Sequence, residues 1–317
     1  MGIRATHFLS ALAVCASLVA TACTGGGNGV PAAGGSHRAV ASAPCEGAAN
    51  TPGGPDPWGD CWPGPENTGP PRALSLTPYE GEVAPDGACM ITVSTVIADN
   101  TIACQIIVKS GNLTLKDSSL TGEVYNYGQG QVLIENSTIN GGSDQTETVL
   151  GSNVTVLDSN LYGNQHEVYC GNDCVIKNSW LHGNHNFGPT DHQNGFLSTG
   201  GTHYDLEHNA IVCTGHCTSD VAFLGSDSNA VVYKNLLMSG PTIAYCLYAY
   251  SGGPGSTAVV NQMQITDNVF QLGASTKCAT YGPVAGWDEP NQNPGTSGYR
   301  NVWSGNTWNN GAALQAP

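Results

Sequence analysis

One short pattern recurs eight times between residue 112 and the C-terminus. Each copy has a small polar anchor, with an apolar residue three positions before it and another two positions after it. Successive anchors are 19 to 38 residues apart. This alternation is typical of strand–turn–strand structure rather than of a helix. The anchors are Ser118, Ser137, Ser159, Ser179, Asn209, Asn235, Asn268 and Asn306.

A shortest interval near 20 residues predicts one coil of a right-handed parallel β-helix. Each coil would stack its apolar positions on those of the coil below, which makes the stack cooperative. Buried Ser and Asn anchors could hydrogen-bond to the backbone of neighbouring coils at a tight turn. We therefore predict an all-β, single-stranded solenoid of about eight coils over residues 62–317.

The N-terminus has the features of an export signal. Arg4 precedes a short apolar run that ends in small residues directly before Cys23, so residues 1–22 are predicted to be a lipoprotein-type signal peptide rather than a transmembrane helix. Cleavage without lipidation is the alternative. Residues 23–61 are rich in Gly, Ala and Pro and are predicted to be a flexible linker. We expect a secreted or cell-surface bacterial protein that contacts the membrane only through a lipid on Cys23.

Besides Cys15 and Cys23, the chain has ten cysteines. An even number in an exported chain favours disulfides. For the two closest pairs, a metal site would need four converging ligands. The predicted bonds are Cys45–Cys61, Cys89–Cys104, Cys170–Cys174, Cys213–Cys217 and Cys246–Cys278.

The charge of the chain limits its partners. The formal net charge is −15, with 9 Lys and Arg residues in total. A nucleic-acid-binding protein needs a basic patch, so that class is excluded. An acidic polymer would be repelled unless a cation such as Ca²⁺ mediated the contact. Neutral glycans, or anionic ones bridged by calcium, therefore remain open as polysaccharide partners. We also expect the protein to be a monomer.

From Trp62 onward the chain resembles secreted β-helix proteins of the pectate-lyase-like superfamily. Its WPGPENTG and YCGNDC stretches are similar to those of actinobacterial members. The resemblance implies a substrate groove over the third strand of each coil, for example HEVYCG at 166–171 and HQNGFLS at 192–198. This scaffold carries lyases, hydrolases, epimerases and adhesins, so the resemblance is specific for the fold and weak for the function.

Polar and aromatic residues gather on these predicted groove strands, as a sugar-binding surface requires. For each candidate, a loop-pinning or turn-capping role is the structural alternative. General acid–base chemistry is predicted for Glu167, Asp191, His192 and Asp220. Substrate binding is predicted for His182, Asn194, Tyr245, Tyr248 and Lys277. The alternative for the histidines is a metal site formed by His182, His185 and His192.

Three functions remain open at this point. A glycoside hydrolase would use two carboxyl groups. A polysaccharide lyase or uronan epimerase would use a base and a neutralised uronate, with Ca²⁺ as a candidate cofactor. The third is a non-catalytic, adhesin-like surface protein that binds glycan. The paired-Asp, Gly-His-Gly and Arg-Ile-Lys signatures of related hydrolases are missing. The segment 190–194 keeps only Asp-His of the epimerase motif Asp-Pro-His-Asp. Polysaccharide cleavage is the favoured prediction.

Overall fold

The computed structural model describes residues 44–142, 147–185, 188, 192–213, 217–238, 240, 243–250, 260–286 and 301–316. The described regular structure is entirely β, and it contains no helix long and apolar enough to cross a membrane. Short strands stack into three parallel sheets. The predicted parallel β-helix is confirmed, whereas the predicted signal peptide and lipidation site lie outside the described residues.

Each complete coil contributes one strand to sheet 2, then one to sheet 3, then one to sheet 1. Sheet 1 consists of β1 (Thr77–Pro78), β4 (Asn100–Ile102), β7 (Ser119–Thr121), β10 (Thr138–Asn140), β13 (Asn160–Tyr162), β16 (Trp180–His182), β19 (Ala210–Val212), β22 (Leu236–Met238), β25 (Val269–Phe270) and β28 (Thr307–Trp308).

Sheet 2 corresponds to the predicted groove strands. It consists of β2 (Cys89–Ile91), β5 (Ile106–Val108), β8 (Val124–Asn126), β11 (Glu147–Gly151), β14 (His166–Cys170), β17 (Gln193–Ser198), β20 (Cys217–Leu224), β23 (Tyr245–Tyr250) and β26 (Gly282–Ala285). Sheet 3 consists of β3 (Thr95–Ala98), β6 (Leu113–Lys116), β9 (Val132–Glu135), β12 (Val154–Leu157), β15 (Cys174–Lys177), β18 (Thr202–Glu207), β21 (Ser228–Tyr233), β24 (Asn261–Thr266) and β27 (Val302–Ser304).

The described residues form nine complete coils, one more than the eight copies of the sequence pattern. The additional coil contains β3 and β4. Its anchor is Asn100, flanked by the buried Ile97 and Ile102 at the expected spacing. The apolar residues around the first seven anchors of the repeat are 0% exposed. In the last coil, Trp303 and Trp308 are only partly buried and pack against the end of the core.

The anchors form the predicted ladder in the turn between sheets 3 and 1. From Ser118 onward, each anchor side chain accepts a hydrogen bond from the backbone N–H of the anchor one coil earlier. For example, Ser118 N–H donates to Ser137 Oγ at 3.2 Å, and Ser179 N–H donates to Asn209 Oδ1 at 2.9 Å. The residue before each anchor has a φ between 45° and 67°. Asp, Asn and Gly tolerate this left-handed conformation best, and they occupy most of these positions.

All five predicted disulfides form, with Cα–Cα distances from 5.5 to 6.3 Å. Two of them close turns of four residues, Cys170–Cys174 and Cys213–Cys217. The cysteines thus stabilise the coils rather than bind metal.

Residues 44–76 form an N-terminal strap along the outer face of sheet 1. The strap includes residues 45–61, which the composition places in the linker. Asn50 donates to the carbonyl of Asn309 in the last coil at 2.9 Å, and Gly69 donates to the carbonyl of Asp158 at 2.9 Å. Trp62 is fully buried against Ala210, Leu236 and Val269. The strap therefore covers sheet 1 over several coils.

Candidate functional site

Glu167 and Asp220 lie at the same level of sheet 2, because the strand register aligns His166 with Asn194 and Asn194 with Ser219. Both carboxyl side chains are 0% exposed. The position between them is Gly195, where an added Cβ would come within 2.3 Å of the core residue Ile211. This column of sheet 2 therefore points into the solenoid.

The two buried carboxyl groups bind backbone at the corner between sheets 1 and 2. Glu167 Oε2 accepts a hydrogen bond from Thr148 Oγ1 at 2.7 Å, and the backbone N–H groups of Gly163 and Asn164 lie near the carboxyl group. Asp220 Oδ1 accepts from the N–H of Cys213 at 3.0 Å. Burial raises the pKa of both carboxyl groups well above the usual range. Since neither carboxyl group contacts solvent, neither can reach a bound substrate in this conformation.

His192 is exposed at the start of β17, and its Nδ1 lies 2.8 Å from Thr218 Oγ1. Asp191 lies outside the described residues. Asn194 is 2% exposed, and its amide donates to Ser219 Oγ at 2.8 Å. The side chain of Asn194 therefore links two neighbouring strands. Of the two candidates that the structure describes here, His192 is the one accessible to solvent.

His182 lies on a different sheet from His192. It ends β16 of sheet 1, where its ring stacks on Trp180 at 3.5 Å and on Tyr162 at 5.2 Å between centroids. Its Nε2 is 2.8 Å from Asn160 Oδ1, and burial lowers the pKa of the ring to about 4. Among the described residues, no group of three or more His, Cys, Asp or Glu side chains could hold a metal ion.

The predicted binding residues of the C-terminal coils are grouped at the far end of sheet 2. Tyr245 contacts Tyr248 at 5.0 Å and Tyr281 at 5.7 Å between ring centroids. Lys277 was expected on a groove strand but lies in the exposed turn before β26. Strands β17 and β20 separate this tyrosine cluster from β14.

The residue that the sequence interpretation passed over is His166, directly before Glu167. It is 8% exposed and makes no hydrogen bond with any residue that the structure describes, and its Nδ1 is buried. Burial, and to a smaller extent the charge of His192, lower the pKa of His166 to about 4. The ring is therefore neutral near pH 7, with one nitrogen able to accept a proton.

His166 faces outward because strict alternation fails at this corner. Glu167 and Val168 are consecutive and both buried, so His166 and Tyr169 come to the same outer face three residues apart. Their rings meet edge to face, with centroids 6.2 Å apart. Tyr245 and Tyr248 repeat this spacing, which is the signal in the sequence that could have identified the pair.

Glu147 and Tyr125 extend the outer-face group. Glu147 is aligned with His166 on the adjacent strand, and Tyr125 Oη donates to Glu147 Oε2 at 3.3 Å. Burial first, and then the charge of Glu147, raise the pKa of Tyr125 above its usual range. Tyr125 therefore stays protonated, and the face combines an imidazole, a carboxyl group and two phenols.

A cleft of about 680 Å³ adjoins this group where sheet 2 turns towards sheet 3. Tyr169 lines it and lies 2.6 Å, oxygen to oxygen, from Thr199. Tyr127, 56% exposed, lines it also, with Lys109 Nζ 5.0 Å from its ring centroid. Amide and hydroxyl groups supply much of the lining, among them Asn126, Gln129, Ser152, Asn153, Asn172 and Ser198.

Among the described residues that line the cleft, Asp173 is the charged one, and its Oδ1 is 3.3 Å from His203 Nδ1. The catalytic and substrate-binding residues predicted from the sequence, as far as the structure describes them, do not line this cleft. Four successive coils build it, from turns that begin near residues 126, 150, 169 and 198. Residues so far apart form one surface only after the coils stack.

Comparison with protein-family models, with curated proteins and with solved structures returns no match for this chain. Its function is therefore argued from the geometry of the cleft and the outer face of sheet 2.

Proposed function

We propose that this protein cleaves an extracellular polysaccharide, which lies in the cleft while His166 acts as general base. The observation that carries the proposal is a buried, neutral imidazole without a hydrogen-bond partner among the described residues, next to the tyrosine that lines the cleft. Leaving a buried polar group unpaired costs free energy, and strongly shifted pKa values are frequent at functional sites.

The lining of the cleft suits a glycan. Pyranose rings pack against aromatic faces, which Tyr127 and Tyr169 supply, and sugar hydroxyls pair with amides and hydroxyls. The five disulfides are consistent with the oxidising environment outside the cell, where such a polymer would be met.

Elimination is the reaction that this group of side chains favours. His166 would take the ring-carbon proton beside a uronate carboxylate. The electron pair would form a C=C bond as the glycosidic C–O bond breaks, and Tyr169 would give its phenolic proton to the departing oxygen. Hydrolysis would instead use two carboxyl groups, and the predicted Glu167 and Asp220 lie inside the solenoid.

The carboxylate of a uronate must be neutralised before its neighbouring proton can leave. Calcium requires several oxygen ligands. The described residues provide no group of three or more His, Cys, Asp or Glu side chains that could hold such an ion, and Glu147 is a single carboxylate beside His166. No step is therefore assigned to calcium, and hydrogen-bond donors of the protein or a cation that arrives with the substrate would fill this role.

A second candidate is glycan binding without turnover, which is favoured by the burial of two of the predicted catalytic carboxyl groups. A polysaccharide panel distinguishes the two candidates. We expect new reducing ends together with ultraviolet-absorbing unsaturated ends, both lost in His166→Gln. Reducing ends without unsaturation would indicate hydrolysis, and binding without either product would establish the second candidate. A thermal melt of the variant separates lost chemistry from lost folding.

A further inference from the structure

His208 connects the solenoid to the strap through both nitrogens of its ring. Nδ1 lies 2.9 Å from Asn178 Oδ1, and Nε2 lies 3.2 Å from Asp56 Oδ2 in the strap. The ring also stacks on Trp62, with centroids 5.4 Å apart and planes 17° apart. His208 occupies the left-handed position before an anchor, which directs its side chain outward from the turn ladder.

Asn178 presents its side-chain oxygen to the ring, with Oδ1 2.9 Å from His208 Nδ1. An amide oxygen can only accept a hydrogen bond, so Nδ1 must carry a proton to complete this contact. The Asp158 carboxylate lies near the same ring. The strap makes a contact here too, since Gly69 N–H donates to the Asp158 carbonyl at 2.9 Å.

Asp56 is an acceptor on the opposite side of the ring. Its Oδ1 accepts from the N–H groups of Trp58, Gly59 and Asp60 at 2.8 to 2.9 Å, and its Oδ2 faces His208. The Asp56 side chain is 2% exposed and the His208 side chain is 16% exposed. A neutral imidazole has one N–H and can satisfy one of its two acceptors, whereas an imidazolium satisfies both.

From this geometry we infer that His208 is a protonation-dependent latch, which fastens the strap to the solenoid as an imidazolium and loosens it when the ring becomes neutral. The inference is independent of the proposed polysaccharide chemistry. The charged groups around the ring are arranged as this inference requires. Asp56 and Asp158 attract a positive ring. Lys234 of the next coil instead lies 4.9 Å from the centroid of Trp58. Glu207 is bound by Lys177 on sheet 3.

The latch holds the strap only when the His208 ring is protonated, and this requirement sets the direction of its pH dependence. Docking needs the protonated ring, so the contact is complete while the ring is an imidazolium and weakens when rising pH removes its proton. Charge-assisted hydrogen bonds are about twice as strong as neutral ones. Their loss should increase the opening of the strap by roughly tenfold.

Hydrogen exchange at the backbone amide of Gly69, which donates to the Asp158 carbonyl across the contact between strap and solenoid, measures this opening in the full chain after correction for intrinsic exchange rates. We expect protection to fall roughly tenfold between pH 5 and pH 8 in the wild type and to stay flat in His208→Gln. His203→Gln is the matched control. Its ring pairs with Asp173 at 3.3 Å but is 64% exposed, and the wild-type pH dependence should persist in this variant.

Two further measurements keep the inference open to refutation if His208→Gln folds poorly. Asp56→Asn keeps an oxygen to cap the three strap amides but removes the counter-charge, and it should reduce the pH dependence. Long-range nitrogen–proton spectra at pH 5 should show both ring nitrogens of His208 protonated. A neutral ring at pH 5, protection that does not change with pH in the wild type, or an unchanged transition in His208→Gln would each overturn the latch.

Discussion

The outer faces of sheets 1 and 2 each carry a histidine among aromatic rings, and the two histidines differ in what they bind. Burial lowers the pKa of both His182 and His166 to about 4. His182 on sheet 1 is stacked between two rings and paired with Asn160. His166 on sheet 2 has no hydrogen-bond partner among the described residues and adjoins a cleft. Similar burial thus accompanies a structural contact on one face and an unpaired base on the other.

Of the changes predicted here, replacing His166 should have the largest effect, and that effect is on turnover. His166→Gln should lower kcat/KM for the cleaved polysaccharide by about 10³-fold, because general base catalysis contributes about 10²–10⁴-fold. Its melting temperature should change little, since no hydrogen bond to a described residue is lost. His182→Gln should show the reverse, with unchanged kcat/KM and a stability loss of about 1 kcal/mol. Equal activity losses in both variants would contradict the distinction between the faces.

The next largest effect is expected for Tyr169, whose ring lines the cleft and contacts His166. Tyr169→Phe should lower kcat by about 10²-fold, as expected for a lost proton donor, with a smaller change in KM. Tyr233→Phe on sheet 3 is the matched control and should leave both constants unchanged. A rise in KM with constant kcat would make Tyr169 a binding residue and remove it from the proton transfer.

Acid should destabilise the protein through both histidines. Their folded pKa of about 4 lies below the value near 6.5 of an unfolded chain, so protonation favours unfolding. The contribution is fully present above about pH 6.5 and is lost as pH falls towards 4, on the order of 2 kcal/mol per ring. Denaturant unfolding at several pH values measures it. Each single Gln variant should reduce the loss, and a loss that persists undiminished in the double variant would exclude these rings as its cause.

The smallest expected effect concerns Glu167, the inward neighbour of His166. Burial raises the pKa of its carboxyl group well above the usual range, and Gln has a similar shape and offers an oxygen to the same hydrogen-bond donors. Glu167→Gln should therefore cost less than about 1 kcal/mol and leave kcat/KM within about threefold. If the folded variant lost activity by 10²-fold or more, the catalytic role first predicted for Glu167 would stand, and the corner would have to open during turnover.

The sequence predicted most of the architecture because the repeat is local. The spacing of anchors and apolar residues identified the turn between sheets 3 and 1, and the cysteine spacing identified all five disulfides. The sequence interpretation failed at the corner before sheet 2. Period-two alternation could not show that Glu167 and Val168 both point inward, so it selected Glu167 and passed over His166. The likeness to pectate-lyase-like proteins and the export signal stay predictions.

The sequence alone determined that the chain coils, where eight of the nine turns between sheets 3 and 1 lie and which cysteines pair, since these depend on residues close together along the chain. Only the tertiary structure decided which surface is available for binding. Asp56 meets His208, 152 residues away, and thereby helps to cover sheet 1, while four separate turns stack into the cleft beside sheet 2. Contacts at such separations leave no periodic signal, because they depend on how the coils and the strap pack together.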